Sequence, residues 1–402
     1  MVRPERRTKT DLAVVVSLVL AVIAGAGALW WNSDARATVS ETAATPLPDL
    51  APAMAVPDRL TEQWRAASPA TPEPVVAGPA VVTGSGNEVL GRDPRTGEVR
   101  WRYARDIPLC TVGQEWGMAL AVHRKSHNCS EVTALKGDTG VRGPQRNSDA
   151  ELGTRLIGDG TYVTATGSRV FETWRSDLVH TQKYGIPPAL KNPDNKMRRP
   201  DCTFSSIMPG DDRIALVEKC PQEPGDRLTT VKARPEDHEE PEEVFTTILG
   251  SSQASVVATN KERTAVLLRD RSEVLVYNAQ GNIEHRFPVR VGEPSGQGDV
   301  LVEPTYRNQQ RIHWYTGRDT VALDAKTLRP LWTLPDTLGP GTSFAGKLLV
   351  PVPDGLAVVE LRSGQPERII PVDRGGHSGP VQLASTGSVV LEQRGDELVA
   401  LG

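Results

Sequence analysis

Four cysteines, seven histidines and eight tryptophans are the residues in this 402-residue chain whose spacing could encode thiol, proton-transfer, metal or stacking chemistry. None forms a reactive pattern. Cys110, Cys129, Cys202 and Cys220 show none of the CxxC spacings that build zinc sites or redox pairs. His123 and His127 lie four apart, but the sequence around them predicts a strand and hairpin, which does not present two rings on one helical face as a HExxH site requires. There is no GxSxG elbow, no phosphate-binding glycine loop and no nucleophile with a base beside it. The expectation is no catalytic residue, no metal ligand, no cofactor-binding residue and no cofactor. Asp93 and Asp324 precede tight turns, where a carboxylate caps backbone N–H groups, so turn chemistry accounts for both.

The elements that would position these residues follow from composition. Hydrophobic residues make up 38% and charged residues 24%, with a formal net charge of -4. These values exclude a disordered chain, collagen, a coiled coil and a multi-span transporter. With 36 Gly, 32 Pro and 5% aromatics, the chain reads as many short strands separated by turns, an all-β fold. A pI near 6.0 offers no electrostatic footprint for a phosphate backbone, so nucleic acid is not an expected partner.

From Leu12 to Trp31 the sequence carries no charge, and such a run at about 1.5 Å per residue crosses a hydrocarbon layer about 30 Å thick. Arg3, Arg6, Arg7 and Lys9 precede it, so residues 1–11 read as a cytoplasmic basic tail, residues 12–31 as a transmembrane helix, and everything beyond as exported. This predicts a single-pass plasma-membrane protein. The rival reading is a signal peptide cleaved at Ala35-Arg36-Ala37, although the apolar run exceeds a usual h-region. Arg6-Arg7 is followed by TKTD and makes a weak twin-arginine signal. Residues 32–59, rich in Pro, Ala, Thr and Ser, read as an extended linker, and residues 60–402 as the folded domain.

Within that domain one unit recurs. VVTGSGNEVLGRDPRTGEVRW, Val81 to Trp101, reads strand, turn, strand, Thr-Gly turn, strand, and HWYTGRDTVALDAKTLRPLW repeats its order. Asp324, Thr327 and Trp332 keep the mutual spacing of Asp93, Thr96 and Trp101. Weaker copies lie between and after, and SVVLEQRGDELVALG ends the chain two strands into an eighth unit. The interval from Asp93 to Gly402, shared by seven steps, is about 44 residues per blade, as four-stranded blades need. LTEQWRA, with Trp64 at the motif position and no unit ahead of it, supplies the missing outer strand and closes the ring.

Asp93-x-x-Thr96-Gly97-x-x-x-Trp101 resembles the quinoprotein (PQQ-like) repeat of eight-bladed β-propellers, over residues from about 60 to 402. The arrangement of basic tail, helix, linker and propeller is similar to membrane-anchored envelope proteins of actinobacteria. The fold resemblance also extends to the propeller scaffold of the bacterial outer-membrane barrel assembly machinery. It implies a binding or scaffold module for a protein or cell-envelope component. The alternative it implies is a quinoprotein dehydrogenase holding pyrroloquinoline quinone and calcium, but that family uses adjacent cysteines over the cofactor, and this chain has no Cys-Cys dipeptide. A sensor is disfavoured, since a tail of about 11 residues holds no output domain.

The repeat places the cysteines in the second and fourth blades. Three pairings are possible, and the matching intervals favour Cys110 with Cys129 and Cys202 with Cys220, in keeping with export. Trp64, Trp101 and Trp332 are expected between blades, while Trp116 and Trp314 lie off that position and could line a channel or fill space. Two insertions, basic Lys191–Asp201 and acidic Arg234–Glu243, read as surface loops that either bind a partner or are simply solvated.

Overall fold

The computed structural model describes residues 8–33, 36–187, 198–237, 240–295 and 298–402. Eight antiparallel sheets follow one another along the chain as the blades of a β-propeller. Blade 1 spans Val75–Ala77 to Val99–Ala104, and blade 8 ends with Gln382–Thr386, Val389–Arg394 and Glu397–Leu401. The first and last strands of the domain meet: Glu62–Ala67 pairs antiparallel with Glu397–Leu401 and becomes the outer strand of blade 8. Ring closure thus removes an edge that would otherwise expose unpaired backbone groups.

Strand position dictates side-chain pattern. Second strands are covered on both faces by neighbouring blades and are almost wholly buried, as in Val389–Arg394 and Lys347–Val352. Outer strands face solvent on one side and alternate, as in Glu62–Ala67 and Arg142–Asn147. Within each blade the turns joining first to second and third to fourth strands lie on one face of the disc, here called the upper face. The turns joining second to third strands, and the connectors between blades, lie on the lower face.

The recurring motif is a joint between blades. Trp101 is buried against Gly140 in the Thr-Gly turn of blade 2, and its Nε1–H donates to Gly137 O at 2.8 Å. Trp64 packs on Gly97 of blade 1 and donates to Pro94 O, and Trp332 packs on Gly364 of blade 7 and donates to Leu361 O. Each of these turn glycines has φ near +72°, and a Cβ there would meet the indole at 2.4 to 2.7 Å. Only glycine meets both demands. The preceding acid caps the turn: Asp93 Oδ1 accepts from the N–H of Arg95 and Thr96, and Asp324 Oδ1 from those of Lys326 and Thr327.

A second joint runs along the lower side. Arg105 reaches Glu131, Arg146 reaches Glu172, Arg290 reaches Asp319 and Arg374 reaches Glu392, each from the end of one blade to an acid of the next. Arg199 with Glu218 and Arg269 with Glu303 repeat the chemistry from other positions. The carboxylates of Glu172, Glu218, Glu303 and Glu392 are essentially inaccessible, so each needs its cation.

The N-terminal helix runs Lys9–Trp31. It begins three residues before the uncharged run because Thr8 caps it, with Asp11 completing a capping box. The segment after it is extended, as its composition predicts, but it does not hang free. Val39–Glu41 adds a fifth strand to blade 1 beside Val99–Ala104. The chain then crosses the upper face: Ala43 N–H and Leu47 N–H donate to Thr139 O and Asp138 O, Ala53 N–H donates to Gly387 O, and Ala53 and Val56 pack against the core of blades 7 and 8. Residues 38–58 therefore form a strap across part of the disc.

Candidate functional site: the central channel

The eight first strands surround the ring axis, and a cavity of about 250 Å³ lies between them. Glu73, from the connector into blade 1, and Arg155, just ahead of the first strand of blade 3, both line it. Burial pushes the Glu73 carboxyl up and the Arg155 guanidinium down, and each is the charge that opposes the other's shift. Arg155 Nε has no hydrogen-bond partner among the described residues. An acid and a base thus line one cavity, Glu73 with its side chain open to solvent and Arg155 half-buried, and the arginine keeps bonding capacity that the chain does not use.

The two mouths differ. At the upper mouth Gln114, Glu115 and Trp116 of blade 2 meet Gly158 of blade 3. Burial raises the Glu115 pKa, and Asp159 adds repulsion. Arg307, also at this end, is held by Asp211 at 2.6 Å and Thr259 O. The lower mouth is lined by Thr71, Arg155, Ser295, His377, Gln393 and Asp396. Such a channel suits a polar group that both donates and accepts hydrogen bonds.

The sequence-predicted residues fall in different places. Cys110 is bonded to Cys129 and Cys202 to Cys220, both within single blades, and neither pair lines the cavity on the axis. Trp116 lines the upper mouth, while Trp314 is buried and donates to Glu303 Oε2 at 3.0 Å. His123 is buried, with a pKa pushed down to about 4 by desolvation, and His127 is exposed on a lower-face turn. Most of the basic insertion, 191–197, lies outside the described residues, as do Arg3, Arg6 and Arg7 of the tail and residues 238–239 of the acidic insertion. Where the insertions are described, they meet: Arg198 and Arg199 pair with Glu243. Part of the charge that reads as a partner signal is spent within the fold. Glu73 and Arg155 carry no sequence signal at all, since PEPVV and TRLIG look like ordinary connectors.

The residues present do not fit the quinone and calcium pair. All four cysteines are tied in local disulfides, and among the described residues no three His, Cys, Asp or Glu side chains converge as a metal site.

By sequence the chain matches no protein family, and no curated protein matches it significantly. Solved structures do match it. BamB from Moraxella catarrhalis superposes with a TM-score of 0.52 at 13% identity, covering 85% of this chain and 99% of that one. Sqt1 from Saccharomyces cerevisiae superposes with a TM-score of 0.50 at 13% identity, covering 83% and 99%. At such identities the likeness is one of fold, and this chain is an eight-bladed β-propeller similar to BamB in its PQQ-like architecture.

Proposed function

We propose that the protein is a membrane-anchored, extracytoplasmic scaffold that binds a protein or cell-envelope component and performs no catalysis. One observation carries this reading: a disc closed by pairing of its domain's first and last strands follows a 23-residue apolar helix none of whose residues is buried in the fold. A helix of that length and hydropathy suits a bilayer, and the basic residues before it favour a cytoplasmic N-terminus in the plasma membrane. The similarity to BamB and to Sqt1 supports a binding role for the disc. The resemblance to envelope proteins of actinobacteria belongs to the same reading.

The test is photo-crosslinking in native membranes from the upper mouth, at Trp116, and from the outer strand of blade 5, at Arg286. A discrete partner captured from one position only supports a scaffold with a defined binding face. Identical, diffuse capture from both sinks it. Titration with pyrroloquinoline quinone and calcium, followed by absorbance, is expected to show no binding; saturable uptake would restore the dehydrogenase reading.

A further inference from the structure

The strap changes how far the propeller can stand from the helix. A free linker over residues 32–59 would reach about 95 Å when extended, but Val39–Glu41 is already a strand of blade 1. Only residues 32–38 separate that strand from the helix end at Trp31, a reach of about 25 Å. The reach is shortened further, because Ser33 O accepts from the N–H of Arg36 and Ala37, and the Arg36 guanidinium lies 3.4 Å from the centre of the Trp31 ring.

Register decides which face arrives first. Val39 pairs with Ala104 at the lower end of the outer strand, and Glu41 with Arg102 above it, so the chain comes from the lower face and climbs the rim. Next to Ala104 the lower face is one continuous surface. Arg124 N–H donates to Pro108 O, Cys129 N–H to Ala150 O, and Ser168 N–H to Glu151 Oε2. Exposed on it are Arg124, Arg169, Leu152 and Pro108, with Ile107 half-buried. Its acids are mostly engaged: Glu131 holds Arg105 and Lys125, Asp149 holds Lys183, and Glu151 accepts backbone N–H groups, leaving Asp106 exposed. Basic heads around apolar side chains match the headgroup layer of an anionic bilayer.

We propose that the lower face of blades 1 to 3 rests on the lipid surface beside the helix, through Arg124, Arg169, Ile107 and Leu152, which turns the strap and the upper mouth away from the membrane. The inference rests on the anchor reading. Its test uses the full chain in nanodiscs containing phosphatidylglycerol and a headgroup-labelled nitroxide quencher. An environment-sensitive dye is placed at His127→Cys on the lower face or at Arg95→Cys on the upper face of blade 1. The expected result is severalfold stronger quenching at 127 than at 95, lost when Arg124→Glu and Arg169→Glu are combined, with the protein still disc-bound. Equal or reversed quenching in disc-bound protein overturns the orientation. Asymmetry that survives charge reversal overturns the lipid contact. A chain that never enters the discs sinks the anchor reading, and this inference falls with it.

Discussion

The upper and lower sides of the blade joints solve one problem in two chemistries. Above, Trp101 over Gly140 and Trp332 over Gly364 fill the gap with an indole that needs one carbonyl for its N–H. Below, Arg374 forks onto both carboxylate oxygens of Glu392 through Nε and Nη2 and also donates to Val352 O and Gly355 O. The indole joint contributes through area removed from water and tolerates imperfect surroundings. The ionic joint holds only if every member is present, because a lone buried carboxylate is costly. Either joint is therefore costly to break, but the ionic one also penalises any pairing of blades that leaves a buried charge without its partner.

Removing the closing strand tests what both joints depend on. Deletion of residues 60–66 takes away the outer strand of blade 8 and Trp64 together, and the expected outcome is aggregation rather than a weakened monomer. A monodisperse deletion variant by light scattering would refute closure. Next in size, Arg374→Ala leaves Glu392 buried beside Arg394 alone and is expected to cost about 3–5 kcal/mol in denaturant unfolding. Arg374→Lys, which cannot make the forked contact, should recover little of it.

Trp101→Ala is expected to cost about 3–5 kcal/mol through the cavity it opens. If instead it proves far milder than Arg374→Ala, the upper joint is subsidiary to the lower. The Cys110→Ser, Cys129→Ser double variant should lose roughly 3 kcal/mol and keep its binding, read by thermal melting and the crosslinking pattern.

The smallest effect at neutral pH concerns His313. Burial, aided by Arg311, holds its imidazole near pKa 4, against an ordinary value of 6.5. The unfolded chain therefore takes up the proton first, and stability is lost as pH falls from 6.5 toward 4, by roughly 2 kcal/mol at pH 5. His313→Phe should flatten that part of the pH profile. An unchanged profile would mean that the ring is already protonated in its pocket.

The upper joint was legible in the sequence because its parts are local. Asp93, Thr96, Gly97 and Trp101 lie within nine residues and are bound to one turn geometry, so the motif repeats with fixed spacing wherever it occurs. The lower joint was not legible. Its partners lie 18 residues apart in Arg374 with Glu392 and 34 apart in Arg269 with Glu303, so no period marks them. The channel residues escaped for the same reason. Glu73 and Arg155 come to line one cavity only because blades 1 and 3 both face the axis.

What the sequence by itself determined is the list of strands, the eightfold count, the closure through Trp64 and an apolar helix ahead of the domain, all set by local alternation, turn chemistry and spacing. The tertiary structure alone decided that residues 38–58 are a strap, that the two charged insertions meet, and that an acid and a base line one cavity on the axis. Local patterns report which face of a strand seeks cover. They carry no record of which distant backbone or charge supplies it, because that is settled only when the ring closes and each buried group must find its partner.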